Sequence, residues 1–158
     1  MSIARTFRTD STSLENTESL AAQTGSKLRG GEVIALNSDL GGGKTAFVRG
    51  LARGMGSDDH VSSPTFTIGQ EYRTPQLTLY HFDFYRLSEP GIMALELEES
   101  LADTNGVVAI EWGESVAGVL PERRLSIDIT KLSETSRQFI ISCPQELEYL
   151  LPDGVEPC

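Results

Sequence analysis

Val33-Ile34-Ala35-Leu36-Asn37-Ser38-Asp39-Leu40-Gly41-Gly42-Gly43-Lys44-Thr45 is the stretch that decides the fold of this 158-residue chain. Four apolar, β-type residues run into a glycine-rich loop that closes on Gly-Lys-Thr. Behind it Phe47, Val48, Leu51 and Met55 recur at helical spacing, so the segment reads as strand, loop and helix, the helix reaching about Gly56. In that context the pattern G-x-x-x-x-G-K-[ST] has a definite chemistry. Glycines let backbone N–H groups curl around a polyphosphate, Lys44 reaches the terminal phosphates, and the Thr45 hydroxyl can ligate Mg²⁺. The helix that follows points its positive end at the same anion. Stripped of its flanks, the loop would read equally as a turn that binds nothing. One position departs from the pattern, Ser38 standing where glycine is usual. If that position needed φ > 0, a side chain there would cost about 1–2 kcal/mol. Glycine at 41, 42 and 43, nearest the phosphates, predicts an altered but working cradle.

Outward from the loop, helices alternate with strands. Residues 3–9 predict a short edge strand, and Thr9 to Ser13 is a cluster of helix N-cap candidates. Leu14, Thr17, Leu20, Ala21, Thr24 and Leu28 trace one helical face that Gly30-Gly31 ends. The strand before the loop is expected over 32–37. A polar loop at 57–66 precedes two strands, 67–73 and 77–84, joined by Thr74-Pro75-Gln76 as a hairpin or short connection. Residues 89–101 read as helix. Strands follow at 106–110, 125–129 and 138–142, and Leu147, Leu150 and Leu151 suit a short docking helix. The expected fold is α/β, a three-layer P-loop NTPase-like architecture with a mixed parallel and antiparallel sheet. Residues 1–151 are expected to form a single P-loop ATPase domain, with 152–158 a frayed C-terminal tail.

Composition narrows the partners. The net charge is −10, with a pI near 4.6, so the surface as a whole repels nucleic acid. Arg123-Arg124 is the only tight basic pair. Strong direct binding of RNA or DNA is therefore not expected, and a role in nucleic-acid metabolism would run through a partner. No run approaches the roughly 18 apolar residues that span a membrane, and the N-terminus lacks the apolar core of a secretory signal. A soluble, cytoplasmic protein is expected. The two cysteines have no metal-ligand spacing; Cys143 reads as a core residue, Cys158 as an exposed thiol, and no disulfide between them is expected.

A phosphate cradle that works with Mg²⁺ needs carboxylate help, commonly from the end of a neighbouring strand. Asp83 and Glu111 both follow strand-like runs, Leu79 to Phe82 and Val107 to Ile110. Either alone could be an exposed strand cap; together in a chain with this loop, at least one is expected to serve the metal. In Ser62-Ser63-Pro64-Thr65-Phe66, Thr65 offers a hydroxyl and a carbonyl of the kind a switch loop uses to sense a γ-phosphate, although such a segment can also be a mere turn. His81, between Tyr80 and Phe82, reads as a packed strand histidine. Trp112 is either core or a lid or partner contact.

Four motifs in order then resemble the TsaE (formerly YjeE) ATPase family, small P-loop proteins of the bacterial tRNA threonylcarbamoyladenosine machinery. They are 38–45 with Arg49-Gly50 behind, Ser63-Pro64-Thr65-Phe66, the run Tyr80-His81-Phe82-Asp83-Phe84-Tyr85-Arg86-Leu87, and Ile110-Glu111-Trp112-Gly113-Glu114, with Leu120-Pro121-Glu122 following. The resemblance spans almost the whole chain. It implies ATP and Mg²⁺ as cofactors. Nucleotide contacts fall on Asp39, Leu40, Gly41, Gly42, Gly43, Lys44 and Thr45, with Thr17 and Arg137 near the adenine. The metal falls to Thr45 and Glu111, and the catalytic or switch roles to Lys44, Thr65, Asp83 and Glu111. Trp112 matches a tryptophan implicated in activity or assembly. The implied partners are TsaD and TsaB. Departures are Ser38 for glycine, Gly42 for alanine and Ala46 for a second threonine, the last removing a hydroxyl that could touch an α-phosphate.

The reading is a Mg²⁺-dependent ATPase in which water attacks the γ-phosphate while Lys44 and Mg²⁺ stabilise the spreading charge. Sequence fixes no arginine finger, with Arg49 and Arg86 as candidates, so hydrolysis is expected to be slow alone and stimulated by partners. A small nucleoside or nucleotide kinase is the first rival; it would need a basic acceptor pocket and a lid. A non-hydrolysing nucleotide-sensing module is the second, with Ser38 and Ala46 having disabled turnover.

Overall fold

The computed structural model describes residues 4–38, 43–59, 61, 69–84, 92–111 (92–94 by backbone) and 118–158. The elements are β1 (Arg5–Ser11), α1 (Leu14–Gly25), β2 (Val33–Ser38), α2 (Lys44–Met55), β3 (Gly69–Arg73), β4 (Thr78–Asp83), α3 (Ile92–Ala102), β5 (Gly106–Glu111), β6 (Leu125–Lys131) and β7 (Arg137–Cys143). A 3₁₀ turn at Gln145–Leu150 and a two-residue strand β8 (Glu156–Pro157) complete the chain. The strands form one sheet in the order β3-β4-β5-β2-β6-β7-β1-β8. Its centre is parallel, β4 on β5, β5 on β2 and β2 on β6. Its flanks are antiparallel. This is the mixed sheet expected from the sequence.

Strand periodicity sorts the core into two layers. Ile34 and Leu36 of β2 and Val107 and Ala109 of β5 join Phe47, Val48 and Leu51 of α2 on one face. Val33, Val108 and Ile110 pack with Phe82, Phe84 and Leu97 on the other, under α3. Both central strands are buried on two faces, which is why they read as unbroken apolar runs. Burial pushes the Cys143 thiol up to about 11, as suits a core cysteine.

The two helices on the first face approach each other unusually closely. A Cβ on Gly25 of α1 would stand 2.3 Å from the Leu51 carbonyl oxygen of α2, one on Gly50 2.3 Å from that of Glu18, and one on Gly54 2.2 Å from that of Ala22. Glycine at these positions lets the two backbones touch. Glu18 also holds Arg49 at 2.9 Å and Arg53 at 3.5 Å across the same seam. α1 begins as expected, the Ser13 hydroxyl accepting from the Asn16 N–H at 3.0 Å.

Three expectations change. β1 is not an edge strand, since it lies between β7 and β8. Leu14 opens α1 but is 56% exposed, so it does not belong to the buried helical face. The tail is not frayed: Pro152 is buried, Phe7 and Arg8 pair with Pro157 and Glu156, and the Cys158 N–H donates to the Thr6 carbonyl at 2.9 Å. Pro152 and Gly154 look like chain breakers, yet they turn the chain back onto the edge that β1 would otherwise expose. Among the described residues no helix is long and apolar enough to cross a membrane.

Candidate functional site

The site builds on the carboxyl ends of the parallel strands, where open α/β sheets place their ligands. β2 delivers the chain to Ser38, and α2 starts at Lys44 behind Gly43. Gly43 caps that helix with φ 105 and ψ 15, a left-handed conformation that favours glycine. Lys44 is only 6% exposed, and its ammonium donates to the Ser38 carbonyl at 3.0 Å, spanning the loop from end to end. Thr45, the next residue, is partly buried at the positive end of α2.

Ser38 answers the question raised by its departure from the pattern. It is the last residue of β2, in ladder register with Ile129 of β6. Its backbone is thus extended, the conformation that any residue adopts, and the feared left-handed penalty does not arise.

On the next two strands, β5 and β4, register brings the carboxylates together. Glu111 ends β5 opposite Leu36 of β2 and Asp83 of β4. Being directly opposed, Asp83 and Glu111 face the same side of the sheet, the side that carries α2. Glu111 is only 3% exposed, and its Oε2 accepts a short hydrogen bond from Nε2 of His81, a fully buried histidine. The Tyr72 hydroxyl lies 3.4 Å from His81 Nδ1 and donates to the Gln70 side-chain carbonyl at 2.5 Å.

A separate cavity of about 140 Å³ opens beside the cap of α2, lined by residues including Thr17, Gly43, Ala46 and Arg137. Thr17 is buried, its hydroxyl 2.6 Å from that of Ser11. Arg137 donates to the carbonyls of Ser133 at 2.8 Å and Ser136 at 3.0 Å, which holds it across the β6–β7 turn.

Of the residues expected at the site, Gly43, Lys44, Thr45, Asp83 and Glu111 lie along one edge of the sheet, and Thr17 and Arg137 line the cavity next to Gly43. Asp39, Leu40, Gly41, Gly42 and Thr65 fall outside the described residues, as do Trp112 and Arg86. Arg49 is engaged with Glu18 on the α1–α2 seam. His81 does pack within its strand, as read, but its contact with Glu111 and the link to Tyr72 and Gln70 were not read from sequence. The signal was present: His81 and Asp83 are two apart on one strand and so share a face.

The donors at this edge, a threonine hydroxyl and two carboxylates, are hard oxygens that suit Mg²⁺. With the strand-loop-helix unit on a mixed sheet, they place the chain among P-loop NTPase-like α/β proteins. Comparison with known proteins narrows this. The sequence model of one family, described as threonylcarbamoyl adenosine biosynthesis protein TsaE, matches residues 11–139. Curated relatives named tRNA threonylcarbamoyladenosine biosynthesis protein TsaE include one from Nostoc sp., 39% identical over 127 residues that cover 78% of each chain. One from Treponema pallidum is 38% identical over 137 residues, 86% of this chain and 100% of the relative. The crystal structure of YdiB from Bacillus subtilis superposes with a TM-score of 0.74 at 29% identity, covering 95% of this chain and 94% of that one. The chain belongs to the TsaE family.

Proposed function

We propose that this chain is the Mg²⁺-dependent ATPase subunit of the bacterial machinery that forms N6-threonylcarbamoyladenosine at position 37 of tRNA. Its ATP hydrolysis drives turnover of a TsaD–TsaB complex. The observation that carries the reading is the buried Lys44 at the start of α2, bonded to the end of β2, with Glu111 and Asp83 in register at the ends of β5 and β4 on the same side of the sheet. The names of the curated relatives supply the pathway.

In this reading the backbone of 39–45 cradles the phosphates of ATP, and the Lys44 ammonium leaves the Ser38 carbonyl for the terminal phosphates. Thr45 and Glu111 would hold Mg²⁺, which when bound neutralises charge on the β- and γ-phosphates. Asp83 and Thr65 orient the attacking water. Thr17 and Arg137 flank the adenine beside Gly43. Arg49 rests on Glu18 in the α1–α2 seam, and in this reading hydrolysis is slow until a partner completes the site. The acidic chain acts in the cytoplasm on proteins, while others hold the tRNA.

Phosphate release measured with and without a TsaD–TsaB pair tests the proposal. Slow release alone and faster release with the pair is expected. Tight ATP binding with no release in either condition would favour a nucleotide-sensing module, and phosphate transfer to an added nucleoside would favour a kinase.

A further inference from the structure

We propose that His81 is a positioning residue for Glu111, held in place by a buried relay that runs from Gln70 through Tyr72. The inference rests on the reading that Glu111 ligates Mg²⁺.

A carboxylate that is 97% withdrawn from water needs hydrogen-bond donors or it is strongly disfavoured there. Among the described residues, Glu111 has one side-chain donor, Nε2–H of His81, and it reaches Oε2 alone. His81 grips one oxygen, and the other is assigned in this proposal to the cation. The geometry follows from the sheet. His81 stands opposite Ala109, whose methyl group leaves room for the ring to lean along β5 toward Glu111, two residues on. The other ring nitrogen faces the Tyr72 hydroxyl, and Tyr72 is itself 3% exposed. Tyr72 and His81 rings lie 6.0 Å apart between centroids. Gln70 then fixes the hydroxyl. Three side chains from the outer strands β3 and β4 thus determine the rotation of one carboxylate on the central strand β5. A packed histidine with no such task would need no carboxylate on one nitrogen and a buried hydroxyl beside the other. Partners of this kind orient metal ligands, and removing them typically weakens metal affinity about 10–100-fold.

The test follows binding of a fluorescent ATP analogue across a Mg²⁺ titration, with Mn²⁺ electron paramagnetic resonance of the nucleotide complex as a second readout. The full chain is compared with His81→Leu, His81→Gln, Tyr72→Phe and Glu111→Gln. His81→Leu is expected to raise the half-saturating Mg²⁺ concentration about 10-fold or more, and Tyr72→Phe about threefold. His81→Gln, whose amide N–H can reach the same oxygen, should stay within about twofold of the parent. Affinity for the analogue in EDTA should not move in the His81 and Tyr72 variants, which a general packing defect would not achieve. The proposal is overturned if Glu111→Gln shifts the Mg²⁺ dependence while His81→Leu and Tyr72→Phe match the parent. If Glu111→Gln leaves the Mg²⁺ dependence unchanged, the metal assignment itself fails and takes this inference with it. Should His81→Leu not fold, Tyr72→Phe decides: a raised half-saturation supports the relay and an unchanged one overturns it.

Discussion

Gly50 of α2 meets the Glu18 carbonyl of α1 with no room for a side chain, because a Cβ there would stand 2.3 Å from the oxygen and 2.7 Å from the Ala21 methyl. In an isolated helix, glycine to alanine would gain about 1 kcal/mol of propensity. Here the added methyl must push two backbones apart, and overpacking of this kind costs about 1–3 kcal/mol or more. Gly50→Ala is therefore expected to destabilise the chain, with the unfolding midpoint in urea falling. A midpoint equal to or above that of the parent would show that the seam between α1 and α2 is looser than described.

Lys44 ties the two ends of the phosphate loop together through its bond to the Ser38 carbonyl. Lys44→Ala is expected to leave circular dichroism unchanged, because the bond to the Ser38 carbonyl serves the phosphate loop and not the packing of the sheet. ATP affinity should drop by roughly 10–100-fold, since a charge-assisted hydrogen bond contributes about 1.5–3 kcal/mol. Turnover should vanish. Unchanged affinity in an isothermal titration would mean that the nucleotide binds elsewhere.

At the opposite end of β2, burial first, and then a 2.6 Å hydrogen bond to Glu32, push the Tyr149 phenol up to about 12. The hydrogen bond from Tyr80 to Asp103 does the same for Tyr80. The folded state keeps these protons after the unfolded chain has lost them near pH 10. It thus binds more protons than the unfolded state, and stability must fall as pH rises from about 10 through 12. Below pH 10 the contribution is complete. Tyr149→Phe should reduce stability near neutrality by about 1–2 kcal/mol, the bond to Glu32 being lost, and should flatten the alkaline decline. An alkaline limb as steep as the parent's would remove Tyr149 from the account.

How much of this was legible in the sequence depended on range. The β2–loop–α2 unit was legible because strand, glycines, Lys44 and the helical period lie within one local window. Asp83 and Glu111 were legible as strand ends, since each closes an apolar run. That they stand opposite each other was not, because strand order β4-β5-β2 is set by packing and not by neighbours along the chain. The glycine seam was missed for the same reason: Gly25, Gly50 and Gly54 acquire their meaning only when α1 lies on α2. The tail was misread because its turn residues were visible and its partner, Arg8, was some 150 residues away.

Ser38 supports the last prediction, which runs against motif logic. Matching the consensus by Ser38→Gly would be expected to improve the loop if that position were left-handed. Instead Ser38 is an extended residue of β2 paired with Ile129, where glycine adds only freedom to the unfolded chain. Ser38→Gly should cost about 0.5–1 kcal/mol of stability and leave ATP affinity within about twofold of the parent, because the Lys44 contact is to the backbone carbonyl and survives the change. Paired urea denaturation and ATP titration decide it: a gain in both stability and affinity would show that the residue is strained where the strand ends, and that the serine weakens the cradle.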